Sequence, residues 1–300
     1  MLALAASVLV GVLHVHHGPS HDSRAPFERV LEAARSNDLD FVVLTEHVRK
    51  SDESGPLPAA DRAGRYAGGS GRELLVLVGV EFGTADGHLI GYALDRLVPA
   101  AGRPGRDVVA DIQAAGGFAV VPHPFSHGGW HDWDAPFDGI EVHNNASAIR
   151  HAPGWSLPWQ YSRALFDARA SLHAVLTRDR RALAKWDELL EQGRPVVGFS
   201  GADAHEGTRL LGRRLDPYEA FMGAVKTHCP VGERTAAALW QALRRGRCWI
   251  RYATHEAQSA EAISVEFPSG RSELQLDGGK RVLELRNPIL VRDVERRSPE

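Results

Sequence analysis

Residues 8–23 read V-L-V-G-V-L-H-V-H-H-G-P-S-H-D-S, an apolar run that ends abruptly in His14, His16, His17, His21 and Asp22. Val8 to Val15 predicts a buried β-strand, since aliphatic and β-branched residues follow one another without polar interruption. Side chains alternate along a strand, so His14 and His16 share a face at its carboxyl end while His17 begins the loop. Two imidazoles placed that way suit a transition-metal ion that accepts nitrogen ligands. An isolated H-x-H serves equally well to cap a core strand, so the weight falls on the strand ends that follow.

Downstream, Pro26 to Asn37 carries helical periodicity through Phe27, Val30, Leu31 and Ala34, with proline in the first turn. Asp40 to Leu44 predicts a second buried strand, ending in Thr45-Glu46-His47. This β-α-β unit puts a metal-capable residue at each strand's carboxyl end, the edge where parallel α/β sheets and barrels build active sites. Ser51 to Gly71 reads as a surface loop with one helical turn. Leu74 to Val80 is a strand closing in Glu81, and Asp86-Gly87 turns the chain into His88 to Leu94. A helix around Asp107 to Ala115 leads to the strand Phe118 to Val121, which ends in His123-Pro124. Asp138 to Val142 ends in His143, and Pro195 to Phe199 runs into S-G-A-D-A-H, with Asp203 and His205 repeating the i, i+2 spacing. Leu172 to Gln192, Tyr218 to Lys226 and Thr235 to Arg245 are expected to be helical. From Arg247 onward C-W-I-R-Y, A-I-S-V-E-F and R-V-L-E-L-R alternate like short antiparallel strands. The expected organisation is α/β, with a main domain over 1–246 and a small β-rich extension over 247–300 packed on it.

Composition narrows the function classes. The chain has 300 residues, 43% hydrophobic and 24% charged, with net charge −3. That is enough to bury a large core, and it offers no electrostatic case for nucleic acid or an anionic membrane. Leu2 to Leu13 is apolar but lacks a basic flank and is too short for a bilayer span, so it reads as a core strand of a cytoplasmic protein. Cys229 and Cys248, the two cysteines, are expected to be reduced thiols.

Six strand ends thus close in imidazole or carboxylate: His14 and His16, His47, Glu81, His123, Glu141 with His143, and Asp203 with His205. Buried unpaired ionisable groups cost several kcal/mol each, so such a gathering is tolerable when cations offset it. The expectation is a multinuclear site suited to Zn, Mn or Fe. The loop S-H-G-G-W-H-D-W-D, residues 126–134, reads as a lid or substrate wall presenting Trp130 and His131, or equally as a surface loop anchored by its tryptophans.

Together the motifs resemble the PHP (polymerase and histidinol phosphatase) superfamily. The likeness runs through H-x-H at His14 and His16 with Ser20-His21-Asp22, Thr45-Glu46-His47, Gly79-Val80-Glu81, His123-Pro124 and Gly201-Ala202-Asp203-Ala204-His205. Asp40 to Thr45 and Ala237 to Tyr252 also look like the carbaryl-hydrolase-like subgroup of stand-alone members. The resemblance implies a distorted (β/α)7 TIM-like barrel with two or three divalent ions at the strand carboxyl ends. It places His14, His16 and Asp203 on one ion and Glu81 as a bridge. His123, with Glu141 or His143, falls on a second ion, and His47 and His205, with His21 or Asp22, on a third. Glu46 departs from the usual aspartate, and His17 stands where a hydroxyl residue is common. His88 sits at a family-typical position, where it would support a ligand or face substrate, with metal ligation the lesser alternative.

The implied activity is metal-dependent hydrolysis of a small-molecule phosphoester, with Glu81, Asp203 and His205 at the chemistry. Arg209, Arg213, Arg214 and Arg150 follow site strands and are candidates to meet phosphoryl oxygens. A carbamate, amide or ester hydrolase would use the same ligands, and a non-catalytic metal-binding module is the third reading.

Overall fold

The computed structural model describes residues 7–48, 54–151, 157–173, 181–252, 272–277 and 280–287. The opening strand, β1 (Ser7–Val15), leads through α1 (Phe27–Ser36) to β2 (Phe41–His47). The apolar spacing of α1 buries Phe27, Val30, Leu31, Ala33 and Ala34 against the sheet, with Pro26 at its N-cap. The region expected to be loop forms two 3-10 turns and a short strand, β3 (Gly64–Ala67), antiparallel to β4 (Glu73–Thr84). A hairpin then gives β5 (Gly87–Tyr92), and α2 (Gly105–Ala114) leads to β6 (Phe118–Val121) and β7 (Gly139–Asn144). Four helices follow, α3 (Asn145–Arg150), α4 (Leu157–Phe166), α5 (Ala168–His173) and α6 (Arg181–Glu191), before β8 (Val197–Ala204).

Strands β1, β2, β4, β5, β6, β7 and β8 lie side by side in that order, and β8 pairs back onto β1, closing a seven-stranded barrel. The expectation of a distorted seven-stranded barrel is met in its closure, while the (β/α)7 alternation is not followed at β5. β5 runs antiparallel to both neighbours, because the two-residue turn after β4 leaves no room for the crossover that a parallel neighbour requires. The barrel is therefore dominated by its strands, and all six parallel ones deliver their carboxyl ends to one rim.

The remaining described elements are β9 (Arg209–Leu210), β10 (Arg213–Arg214), α7 (Tyr218–Ala224), β11 (Val225–Val231), α8 (Ala236–Arg244), β12 (Trp249–Tyr252), β13 (Ser272–Asp277) and β14 (Lys280–Arg286). β11 was not expected: the run read as the end of a helix turns at Val225 into a strand antiparallel to the first half of β1. β1 is thereby shared, Ser7–Gly11 with β11 and Leu13–Val15 with β8. β12, β14 and β13 continue the sheet outward from β11. The segment A-I-S-V-E-F lies outside the described residues.

Two apolar layers follow from strand alternation. Val12, Val42, Leu44, Val76 and Ile140 face the surrounding helices. Leu13, Phe41, Leu77, Tyr92, Phe118 and Phe199 fill the barrel below the rim. Leu239 and Leu243 of α8 join that interior, and Trp240 packs on Tyr92 with ring centroids 5.6 Å apart, closing the end opposite the rim. Cys229 and Cys248 are joined in a disulfide that ties β11 to the start of β12. The expectation of free thiols is overturned, because the antiparallel pairing of His228 with Trp249 brings the flanking cysteines together. No described helix is long and apolar enough to cross a membrane.

Candidate metal centre

Three residues at the rim hold backbone conformations that L-residues rarely adopt: His14 (φ 63°), His123 (φ 25°) and Asp203 (φ 48°). Such strain costs on the order of 1–3 kcal/mol per residue and gathers at functional sites. At His14 it coincides with a break in strand register between Leu13 and Val15. The bulge re-aims the His14 ring, so strand alternation alone does not set it. His14 and His16 end with ring centroids 5.0 Å apart, both facing Glu81.

Glu81, at 1% exposure, is the hub. Its Oε2 lies 3.0 Å from His14 Nε2, 3.2 Å from His16 Nε2 and 3.7 Å from His47 Nδ1. Its Oε1 lies 2.6 Å from His88 Nδ1 and 3.0 Å from His123 Nε2. Asp203 Oδ1 stands 3.6 Å from His14 Nε2, 3.8 Å from His16 Nε2 and 3.5 Å from His205 Nδ1. Asp22 Oδ2 lies between His47 Nε2, at 3.2 Å, and His205 Nε2, at 3.0 Å. Among the described residues, four groups have donor atoms close enough to share an ion: His14–His16–Asp203, His14–Glu81–His123, His47–Glu81–His88 and His16–Asp22–His47–His205.

Metal ions fit this donor set on a direct observation. His16 Nε2 is fully buried and finds no hydrogen-bond partner among the described residues, although it faces two carboxylates. Mixed imidazole and carboxylate donors suit Zn, Mn or Fe.

Without ions the cluster shares its charge among protons. Burial works against a charged His14, yet Glu141, Asp203 and Glu81 outweigh it and raise its pKa well above the usual value. Burial and the charge on His205 push His16 down to about 4. His205 rises to about 9, its burial outweighed by the hydrogen bond to Asp22 and the charge of Asp203. Glu81 and Asp203 are held well below the usual carboxylate range despite burial, chiefly by the charge on His14.

Not every expected residue joins these groups. His21 is exposed and reaches the cluster only through its ring, 4.8 Å from that of His47, while Asp22 takes the place between His47 and His205. His143 Nε2 lies 2.8 Å from Asn145 Oδ1 with its ring against Tyr252, and it belongs to none of the four groups. Glu141 touches His14 Nδ1 at 2.7 Å and accepts from the backbone N–H of His123 and the amide of Asn144, which occupies its carboxylate.

Above the rim opens a cleft of about 1330 Å³ lined by His21, His88, His131, Trp133 and Arg150 among others. Trp130 also borders it, but the side chain is 2% exposed and its indole N–H donates to the Asp132 carbonyl, so it anchors the loop. Arg209 is exposed on β9 and does not line the cleft. Arg214 pairs with Glu206 at 2.9 Å, and Arg213 donates to the Leu165 carbonyl. What the motifs did not disclose is the layer beneath the histidines: Ser20, His17 and Tyr218 are buried there, and the Tyr218 hydroxyl donates to the His16 carbonyl at 2.5 Å.

With this geometry in place, known proteins can be set beside it. No family model matches the chain. A solved structure from Bacteroides vulgatus, described as a two-domain protein containing a predicted PHP-like metal-dependent phosphoesterase, superposes over 84% of this chain with a TM-score of 0.50 and 20% identity. The chain has a PHP-like fold. Endonuclease Q, solved with a 27-mer duplex bearing an abasic lesion, matches 79% of the chain at 13% identity with a TM-score of 0.43. The matches cover 66% and 57% of those two proteins. An uncharacterized protein of Methanocaldococcus jannaschii is 29% identical over 129 residues, 41% of this chain and 68% of that protein. None of the three bears on the narrower carbaryl-hydrolase-like resemblance. The PHP-like barrel does account for the gathering of the strand-end motifs, because its parallel strands all end at the cleft.

Proposed function

We propose that the protein is a metal-dependent hydrolase that cleaves a small-molecule phosphoester. The observation that carries this reading is the split of Glu81, one oxygen toward His14, His16 and His47 and the other toward His88 and His123. A carboxylate presented to donors on both sides would suit a place shared by two cations. His14, His16 and Asp203 would hold one ion, His123 with Glu81 a second, and Asp22, His47 and His205 a third. Divalent ions bound there supply Lewis acidity and lower the pKa of water toward neutrality.

The chain's own contribution is to fix and enclose that chemistry. Glu141 turns the His14 ring, Glu81 and Asp203 lie buried at the floor of the cleft, and Arg150 borders the cleft where an anionic substrate would lie. A carbamate or carboxylic ester remains the second reading, supported by the stacked pair Phe125 and Trp133, 5.6 Å apart, which lends the cleft an aromatic wall.

The test is metal analysis by mass spectrometry, then turnover of an aryl phosphate, a phosphodiester oligonucleotide and an aryl carbamate by the same preparation. The expected result is two or three ions per chain and hydrolysis of the aryl phosphate, abolished in Asp203→Ala. Full metal occupancy with no phosphoester turnover would overturn the phosphoesterase reading, and carbamate turnover in that case would select the second.

A further inference from the structure

Ser20 makes three hydrogen bonds with one hydroxyl, and a hydroxyl has one proton and two lone pairs with which to make them. Its Oγ stands 2.5 Å from Glu46 Oε2, 3.1 Å from the backbone nitrogen of His47 and 3.2 Å from His16 Nδ1. The His47 N–H can only donate, so it takes one lone pair. Glu46 lies among donors: the His17 N–H is 3.0 and 3.2 Å from its two oxygens, and the His17 imidazole closes on Oε1 through Nδ1. A hydrogen bond into a carboxylate is roughly twice as strong as a neutral one, so the serine proton points to Glu46. One lone pair remains on Ser20, and it can meet His16 only if Nδ1 carries a proton.

We propose that Ser20 and Glu46 are positioning residues that lock His16 in its Nδ1–H tautomer and leave the Nε2 lone pair bare toward Glu81 and Asp203. That nitrogen is among the buried side-chain atoms left without a hydrogen-bond partner within the described residues. Ser20, Glu46, His16 and His17 are each at most 3% exposed, so water cannot substitute for a misdirected proton. The reverse polarity, with Ser20 donating to His16, would withdraw the serine proton from the buried carboxylate and aim an N–H at the metal side. The relay gives a physical reason for two departures of this chain, glutamate at 46 and histidine at 17. The longer acid reaches across to Ser20, and the His17 imidazole closes on its other oxygen.

The inference rests on the metal-centre reading for its purpose but not for its test. Nitrogen-15 NMR of the metal-free wild type, assigned with His16→Gln, is expected to show His16 protonated at Nδ1 and bare at Nε2. Glu46→Gln presents an amide N–H to Ser20, turns the serine proton toward His16 and is expected to move the His16 proton to Nε2. Ser20→Ala and Glu46→Gln should each bind zinc about 10- to 100-fold more weakly in chelator competition, with Ser20→Thr close to wild type. Thermal melts of the metal-free variants separate this from loss of fold. A wild-type His16 protonated at Nε2 would overturn the proposal, whether or not the variants fold, and so would variants that fold and bind zinc as tightly as wild type. Wild-type protein that binds no zinc while His16 is protonated at Nδ1 would support the relay and refute the metal centre.

Discussion

Glu141 Oε1 lies 2.7 Å from His14 Nδ1, on the side of the ring away from Glu81 and Asp203, and both partners are at most 1% exposed. The carboxylate fixes which nitrogen of His14 is offered to the rim. Carboxylates in this role are worth about 10- to 100-fold in metal affinity. Glu141→Gln should therefore lower zinc affinity by that factor in chelator competition. Gly201→Ala should mimic it, because a Cβ there would sit 2.1 Å from Glu141 Oε1.

Asp22 and His21 are adjacent in sequence but not equivalent in place. Asp22→Ala removes the carboxylate between His47 and His205 and should cost one metal equivalent or its tight binding. His21→Ala should leave the metal count unchanged. Metal-to-protein ratios by mass spectrometry distinguish the two, and equal losses would contradict the geometry.

Metal uptake should be strongly pH-dependent. The metal-free His205 has its pKa raised to about 9, above the ordinary 6.5, so near neutrality it holds a proton that a coordinating imidazole must give up. Affinity should rise as pH increases from 6 toward 9, and binding should release protons. Titration calorimetry in buffers of different ionisation enthalpy measures that release.

Reduction of Cys229–Cys248 opens a loop of sequence separation 19, which in the chain-entropy view stabilises by about 3 kcal/mol. Cys229→Ser, or strong reductant, should lower the denaturation free energy by about that amount with little change in metal content, since the bond lies at the far end of the barrel interior.

Much of the candidate site was legible in the chain because strand alternation and strand ends are local properties. His14, His16, His47, Glu81, His123, Asp203 and His205 each follow an aliphatic run that could be read without knowing its neighbours. What escaped depends on register between distant segments. The left-handed backbone of His14, His123 and Asp203 exists only where paired strands slip or end, and no residue type announces it. Glu141 and His143 looked interchangeable on one strand, but the former meets His14 and the latter Asn145 and Tyr252. β11 hid behind the helical texture of Tyr218 to Ala224, and with it went the pairing that unites the cysteines.

The sharing of β1 between β8 and β11 also makes the first histidines mechanically continuous with the far end of the chain. Any shear of β11, or loss of the strands beyond it, pulls on Ser7–Gly11 and is transmitted within one strand to His14. The C-terminal sheet and the histidine-bearing rim should consequently melt as one cooperative unit, and amide exchange in β11 and β1 should accelerate together when either is disturbed.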